Sequence, residues 1–184
     1  VSDEVQVAGL IELATQEFGG VDLLNFNPYW SKGGTVTSME RPDWDKTISV
    51  CLTGAYLLAK HAIPRMELRG GGAIVTISSV AGTGSLANTP AYTAAKGGLI
   101  QLTRAIARDH GPLIRANVIC PGDVNDNPPE KMSEKTRSVM EYKTFLNRSG
   151  RPQEIANVTA FLLSDQASYM TGAVIHVDGG WSAV

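Results

Sequence analysis

The chain is short of cysteine: only Cys51 and Cys120 occur among its 184 residues. Both fall in apolar segments with no second pair to complete a metal site, so both read as buried free thiols, and no disulfide is expected. His61, His110 and His176 stand far apart without metal-ligand spacing, so no metal is expected either. Long apolar runs are missing too. The longest are of strand length, far below the roughly 18 residues that cross a bilayer. Basic runs are equally absent: Arg104, Arg108, Arg115, Arg148 and Arg151 are scattered among acids, and the formal net charge is −2. Such a balance argues against nucleic acid or an anionic membrane as the main partner. Reduced thiols in a mildly acidic chain fit the cytoplasm.

What is present is an ordinary globular composition, 43% hydrophobic and 18% charged, enough to bury one sizeable core in one domain spanning residues 1–184. Ser2-Asp3-Glu4 can cap a helix whose apolar positions Val5, Ala8, Ile11, Ala14 and Phe18 recur at three and four, with Gly19-Gly20 as the stop. A strand follows over 21–26, then a turn-rich stretch through Gly33-Gly34. A long helical pattern over 45–68 comes next, which Pro64 is expected to bend near its end. Strands over 73–78, 116–120 and 173–177 then alternate with helices over 91–109 and 154–163. That alternation predicts an α/β fold, a doubly wound parallel sheet with helices on both faces. One irregular insertion, Asp123 to Asn147, mixes Pro128-Pro129 with charges and a short amphipathic pattern through Met132, Val139, Tyr142 and Leu146.

Chemistry concentrates in three residues. Tyr92 and Lys96 lie four apart in Ala91-Tyr92-Thr93-Ala94-Ala95-Lys96, on one face of a helix, so the ammonium can reach toward the phenol. A free phenol titrates near pH ~10, and a close positive charge is expected to bring it down toward working pH. Ser79 precedes Tyr92 by thirteen residues and ends the apolar run Ala73-Ile74-Val75-Thr76-Ile77, a buried strand by its pattern. Its hydroxyl is therefore expected at the strand's carboxyl end, where open parallel sheets bind ligands. Tyr-x-x-x-Lys alone is a common surface pattern and carries little weight. Its surroundings add weight: Ser78-Ser79-Val80-Ala81-Gly82 before it, Asn117-Val118-Ile119-Cys120-Pro121-Gly122 after it, then Gly150-Arg151-Pro152-Gln153-Glu154 and Val177-Asp178-Gly179-Gly180.

In that order and at those separations these pieces resemble the short-chain dehydrogenase/reductases, from Val1 to Val184. The resemblance implies a Rossmann-like sheet and an NAD- or NADP-dependent oxidoreductase interconverting a secondary alcohol and a ketone. It assigns Tyr92 as general acid/base, Lys96 as the group that lowers the Tyr92 pKa and contacts the cofactor ribose, and Ser79 as the hydrogen-bond partner of the substrate oxygen. Asn27 and Ile77 become the floor of the cofactor site, and Pro121, Gly122 and Val124 its nicotinamide side. It makes the segment at about 123–150 a substrate lid. Helices 45–68 and 91–109, apolar nearly all round through Tyr56, Leu57, Leu58, Leu99, Ile100, Leu102 and Ile106, become subunit contacts of a homodimer or homotetramer.

The chain also departs from the family pattern. Family members open with a strand and a glycine-rich turn that cradles the cofactor pyrophosphate, then two more strands, roughly 60 residues in all. Here those N-terminal strands are absent, and the chain corresponds to the C-terminal two-thirds to three-quarters of such a domain. Strand 21–26 is then expected to show an apolar edge. Either the sequence is part of a longer protein, the explanation favoured here, or it is a true truncation that binds cofactor poorly. Phe26-Asn27-Pro28-Tyr29 replaces Asn-Asn-Ala-Gly, so Tyr29 is expected to crowd the cofactor. Cys51 stands where an asparagine of the proton relay is expected, and Asp126 where a threonine meets the nicotinamide amide. A rival reading follows, a non-catalytic scaffold that keeps the fold and the trio. A third is a coenzyme-free lyase or isomerase using Tyr92. Trp30, Tyr142, Phe145 and Trp181 are candidate walls of an apolar substrate pocket or simply core, and the substrate itself is not encoded in any motif.

Overall fold

The computed structural model describes residues 1–125 and 133–183. Helix α1 (Glu4–Phe18) starts where the Asp3 carboxylate accepts from the Gln6 amide and stops at Gly19 in the left-handed conformation. Strand β1 (Leu23–Phe26) follows. Helix α2 (Arg41–Ile48) carries Pro42 in its first turn and runs through a π-turn, Ser49–Thr53, into α3 (Gly54–Leu68), which continues through Pro64. Strand β2 (Gly72–Ile77) leads to a one-turn helix, α4 (Val80–Thr83), and then to α5 (Pro90–His110). Strand β3 (Ile114–Pro121), helix α6 (Glu134–Lys143), helix α7 (Pro152–Leu163) and strand β4 (Val174–Val177) complete the order.

The four strands are parallel in the order β1-β2-β3-β4, as the alternation predicts. Successive strand residues face opposite sides, so β2 serves two cores at once. Ile74 packs with Val7 and Ile11 of α1, Met66 of α3 and Leu99 of α5, whereas Val75 and Ile77 pack with Ile119 and Leu162 on the α7 side. Burial of both faces accounts for the unbroken apolar run in the sequence.

Among the described residues strand β1 pairs with β2 alone, and Leu23 is 55% exposed, so the expected apolar edge is there. The expectation of helices apolar on several sides has a different resolution. Leu57, Leu58, Leu99, Ile100 and Ile106 are already buried inside this chain, and only Tyr56 of that group projects strongly, at 48% exposure. The pattern through Val139 and Tyr142 does form α6, yet both side chains are exposed, and Leu146 lies beyond the helix. Met132 and Asp126 lie outside the described residues.

Candidate active site

One cleft of about 690 Å³ opens at the carboxyl ends of β1, β2 and β3. It brings together the residues assigned from the sequence to catalysis and cofactor binding. Ser79, Tyr92 and Lys96 line it, as do Asn27 and Ile77, and Pro121, Gly122 and Val124 form a further wall. The volume is in the range of small-molecule and cofactor sites.

The trio converges because α4 and α5 lie unusually close. A Cβ on Gly82 would stand 2.8 Å from the backbone carbon and oxygen of Lys96, so only glycine allows this approach. Ser78, buried at the end of β2, locks the same contact by donating to the Lys96 carbonyl at 2.8 Å. Ser79 then caps α4: its oxygen accepts from the Ala81 amide at 3.1 Å, which leaves its hydroxyl proton for the cleft.

The electrostatics differ from the sequence expectation. Burial is the largest influence on Tyr92 and pushes its phenol above the ordinary value, while a hydrogen bond with Ser79 pulls the other way. Lys96 is not what governs it in this geometry. Its Nζ lies 5.6 Å from the Tyr92 ring centroid and donates to the Ile77 carbonyl at 2.6 Å. The i, i+4 spacing places the amine over the ring, but a buried cation needs an acceptor, and the strand-end carbonyl is nearer to hand. Burial takes the Lys96 pKa down to about 8.

Two departures from the family pattern find structural explanations. Tyr29 lines the cleft but is 72% exposed, so its ring leans outward instead of filling the space. Cys51 is fully buried in the π-turn, where its thiol donates to the Trp30 carbonyl at 3.3 Å and accepts from the Trp30 amide at 3.4 Å. The thiol therefore ties the turn-rich stretch after β1 to the long helix.

The sequence reading missed Asn25, Ser78 and an entire wall from α7: Pro152, Ile155, Ala156, Thr159, Ala160 and Leu163. Ile155, Ala156, Thr159 and Ala160 recur at helical spacing as one stripe, a visible signal whose destination only packing reveals. Of the four candidate pocket aromatics, none lines this cleft. Trp181 borders a separate cleft beside Lys143 and His176, and Tyr142 and Phe145 are exposed.

The cleft is lined by both polar and apolar residues and is large enough for part of a dinucleotide. Gly122 packs tightly against Asp178, since a Cβ there would lie 3.0 Å from the Asp178 Cα, and Gly122 lines the cleft. Among the described residues there is no group of three His, Cys, Asp or Glu suited to a metal ion, and no helix long and apolar enough to cross a membrane.

Comparison with known proteins agrees with this architecture. A family model described as Enoyl-(Acyl carrier protein) reductase matches residues 1–182. Cis-4-hydroxycyclohexanecarboxylate dehydrogenase of Sinomonas cyclohexanicum is 37% identical over 186 residues, which take in 100% of this chain and 75% of the relative. A 3-oxoacyl-[acyl-carrier-protein] reductase of Thermotoga maritima is 35% identical over 181 residues, 98% of this chain and 74% of its own length. The ligand-free structure of Thermoplasma acidophilum aldohexose dehydrogenase superposes with a TM-score of 0.92 at 34% identity, covering 100% of this chain and 76% of that one. The sheet, the cleft at its carboxyl edge and these likenesses make the chain a member of the short-chain dehydrogenase/reductase family, an NAD(P)-dependent oxidoreductase.

Proposed function

We propose that the protein interconverts a secondary alcohol and a ketone, with Tyr92 as general acid/base. The observation that carries this reading is the convergence of Ser79, Tyr92 and Lys96 on one cleft with Pro121, Gly122 and Val124. When bound, NAD or NADP supplies the hydride chemistry, and the protein supplies orientation and proton handling. Asn27 and Ile77 form the floor under the cofactor. Pro121, Gly122 and Val124 would hold its nicotinamide side, and Lys96 would contact its ribose.

A phenol held high by burial keeps its proton at neutral pH, so in the reducing direction Tyr92 donates that proton to the carbonyl oxygen. Ser79, whose oxygen accepts from the Ala81 amide and whose side chain bonds Tyr92, turns its hydroxyl proton to the same substrate oxygen and fixes it within reach. In the oxidising direction Tyr92 must first lose its proton. Rising pH favours loss of the Tyr92 proton, so oxidation is expected to accelerate as pH rises, while the Lys96 ammonium, present below about pH 8, stabilises the phenolate only in that range and once it turns from the Ile77 carbonyl. The lid expected at about 123–150 falls partly on residues 126–132, which lie outside the described residues. The relatives named for hydroxycyclohexanecarboxylate and aldohexose favour a hydroxyl-bearing ring or chain as substrate.

General acid–base catalysis contributes about 10²–10⁴-fold, so Tyr92→Phe is expected to lose activity on that scale. Steady-state kinetics on a panel of ketones with NADH and NADPH, alongside circular dichroism to show an intact fold, tests this. Undiminished turnover in the variant excludes the mechanism.

A further inference from the structure

The segment between β3 and α7 leaves the sheet at Asp123 and returns at Gly150, and its two ends are fastened to each other. Val124 and Gly150 form a parallel bridge. The Gly150 amide donates to the Asp123 carbonyl at 2.8 Å, and the Asn125 amide donates to the Gly150 carbonyl at 3.0 Å. Side chains reinforce the bridge. Ser149 Oγ donates to Asp123 Oδ2. Asn125 Nδ2 donates to the same Oδ2 at 3.3 Å and to Ser149 Oγ at 3.1 Å.

A second fastening begins one residue earlier. Arg148 grips the Glu154 carboxylate with two bonds of 2.8 and 2.7 Å, and Glu154 Oε2 also accepts from the Arg151 amide at 2.8 Å. Glu154 occupies the third position of α7. One connected set of bonds therefore runs from Val124 to the start of α7, and Val124, Ile155 and Ala156 all line the cleft. Arg148 and Glu154 are each about 40% exposed, and exposed pairs add little to overall stability. Their consequence is geometric instead.

We infer that Ser149 and Glu154 are positioning residues: Ser149 acting through Asp123, and Glu154 through Arg148, set where Val124 sits relative to α7 and so how tightly the cleft holds the cofactor. This rests on the proposed oxidoreductase reading. A wall displaced by about 1 Å weakens a site by up to ~10²-fold, whereas the proton-transfer trio, held by β2 and α5, is left in place.

The test compares the wild-type protein with Ser149→Ala, Ser149→Thr and Glu154→Gln. Ser149→Ala is expected to raise the KM for NADH or NADPH about tenfold with kcat within about twofold, and to speed amide exchange at Asn125 and Gly150 about tenfold. Ser149→Thr, which keeps the hydroxyl, restores both, and Glu154→Gln shows a smaller rise in KM at unchanged melting temperature. Unchanged exchange in Ser149→Ala overturns the fastening, whether or not a cofactor binds. Faster exchange with unaltered cofactor KM overturns the positioning role. A wild-type protein that binds neither nucleotide counts against the oxidoreductase reading, and the exchange comparison then decides the fastening by itself.

Discussion

Lys96 is the residue under most strain of solvation: a cation 2% exposed, with the Ile77 carbonyl as its hydrogen-bond acceptor. Its pKa of about 8 in the folded protein lies below the ordinary 10.5 that it regains on unfolding. Between those values the unfolded chain binds more protons than the folded one, so this group makes stability rise with pH across the window. Below about pH 8 the full penalty is present, on the order of 3 kcal/mol for a depression of this size. Lys96→Met removes the charge. Its stability relative to wild type is therefore expected to be most favourable at pH 7 and to shrink toward pH 10, as read from urea unfolding at both values. A difference independent of pH would mean that the ammonium is well solvated. The penalty is consistent with a lysine retained for chemistry, since an apolar residue fits the same buried position at lower cost.

At the level of elements, the approach of α4 to α5 decides whether Ser79 and Tyr92 meet. Gly82 permits it, and beside the Ser78 hydroxyl the facing atoms are backbone of Lys96, which cannot rotate aside as a flexible side chain does. Gly82→Ala is accordingly expected to destabilise the protein by about 1–3 kcal/mol through overpacking. It should also lower kcat more than it raises KM, because it moves Ser79 away from Tyr92. Denaturant titration and steady-state kinetics on the one variant check both. The π-turn in the long helix is the companion feature. A single helix over 45–68 is the natural reading of the apolar period, but the structure inserts Ser49–Thr53 with wider bonding, and the buried thiol of Cys51 reaches Trp30 from there. Such turns recur at functional sites. Nothing in the residue types there announces one, since the inserted turn depends on what packs beside it.

For the whole molecule, the apolar helices have already spent most of their surface inside the chain, yet large apolar groups remain outside: Tyr56, Leu68, Leu10 and Leu13 are each about half exposed or more. Self-association as a homodimer or homotetramer is the expected outcome, measured by light scattering at micromolar concentration. A monomer there would contradict it, and would show that these groups stand singly, as many exposed apolar residues do.

Strand and helix order and the helix cap at Asp3 were determined by local pattern, because periods of two and 3.6 and capping chemistry depend only on near neighbours in the chain, whereas Ser79, Tyr92 and Lys96 stood out through their spacing together with the family resemblance of the motifs around them. Tertiary structure alone decided where the charges and walls ended up. The Lys96 amine went to a carbonyl 19 residues away instead of the phenol four residues away, the α7 stripe turned into the cleft, and Ser149 closed on Asp123 across 26 residues. Those outcomes depend on which groups burial brings within 3 Å of one another, and the spacing of residues along a chain carries no record of that distance.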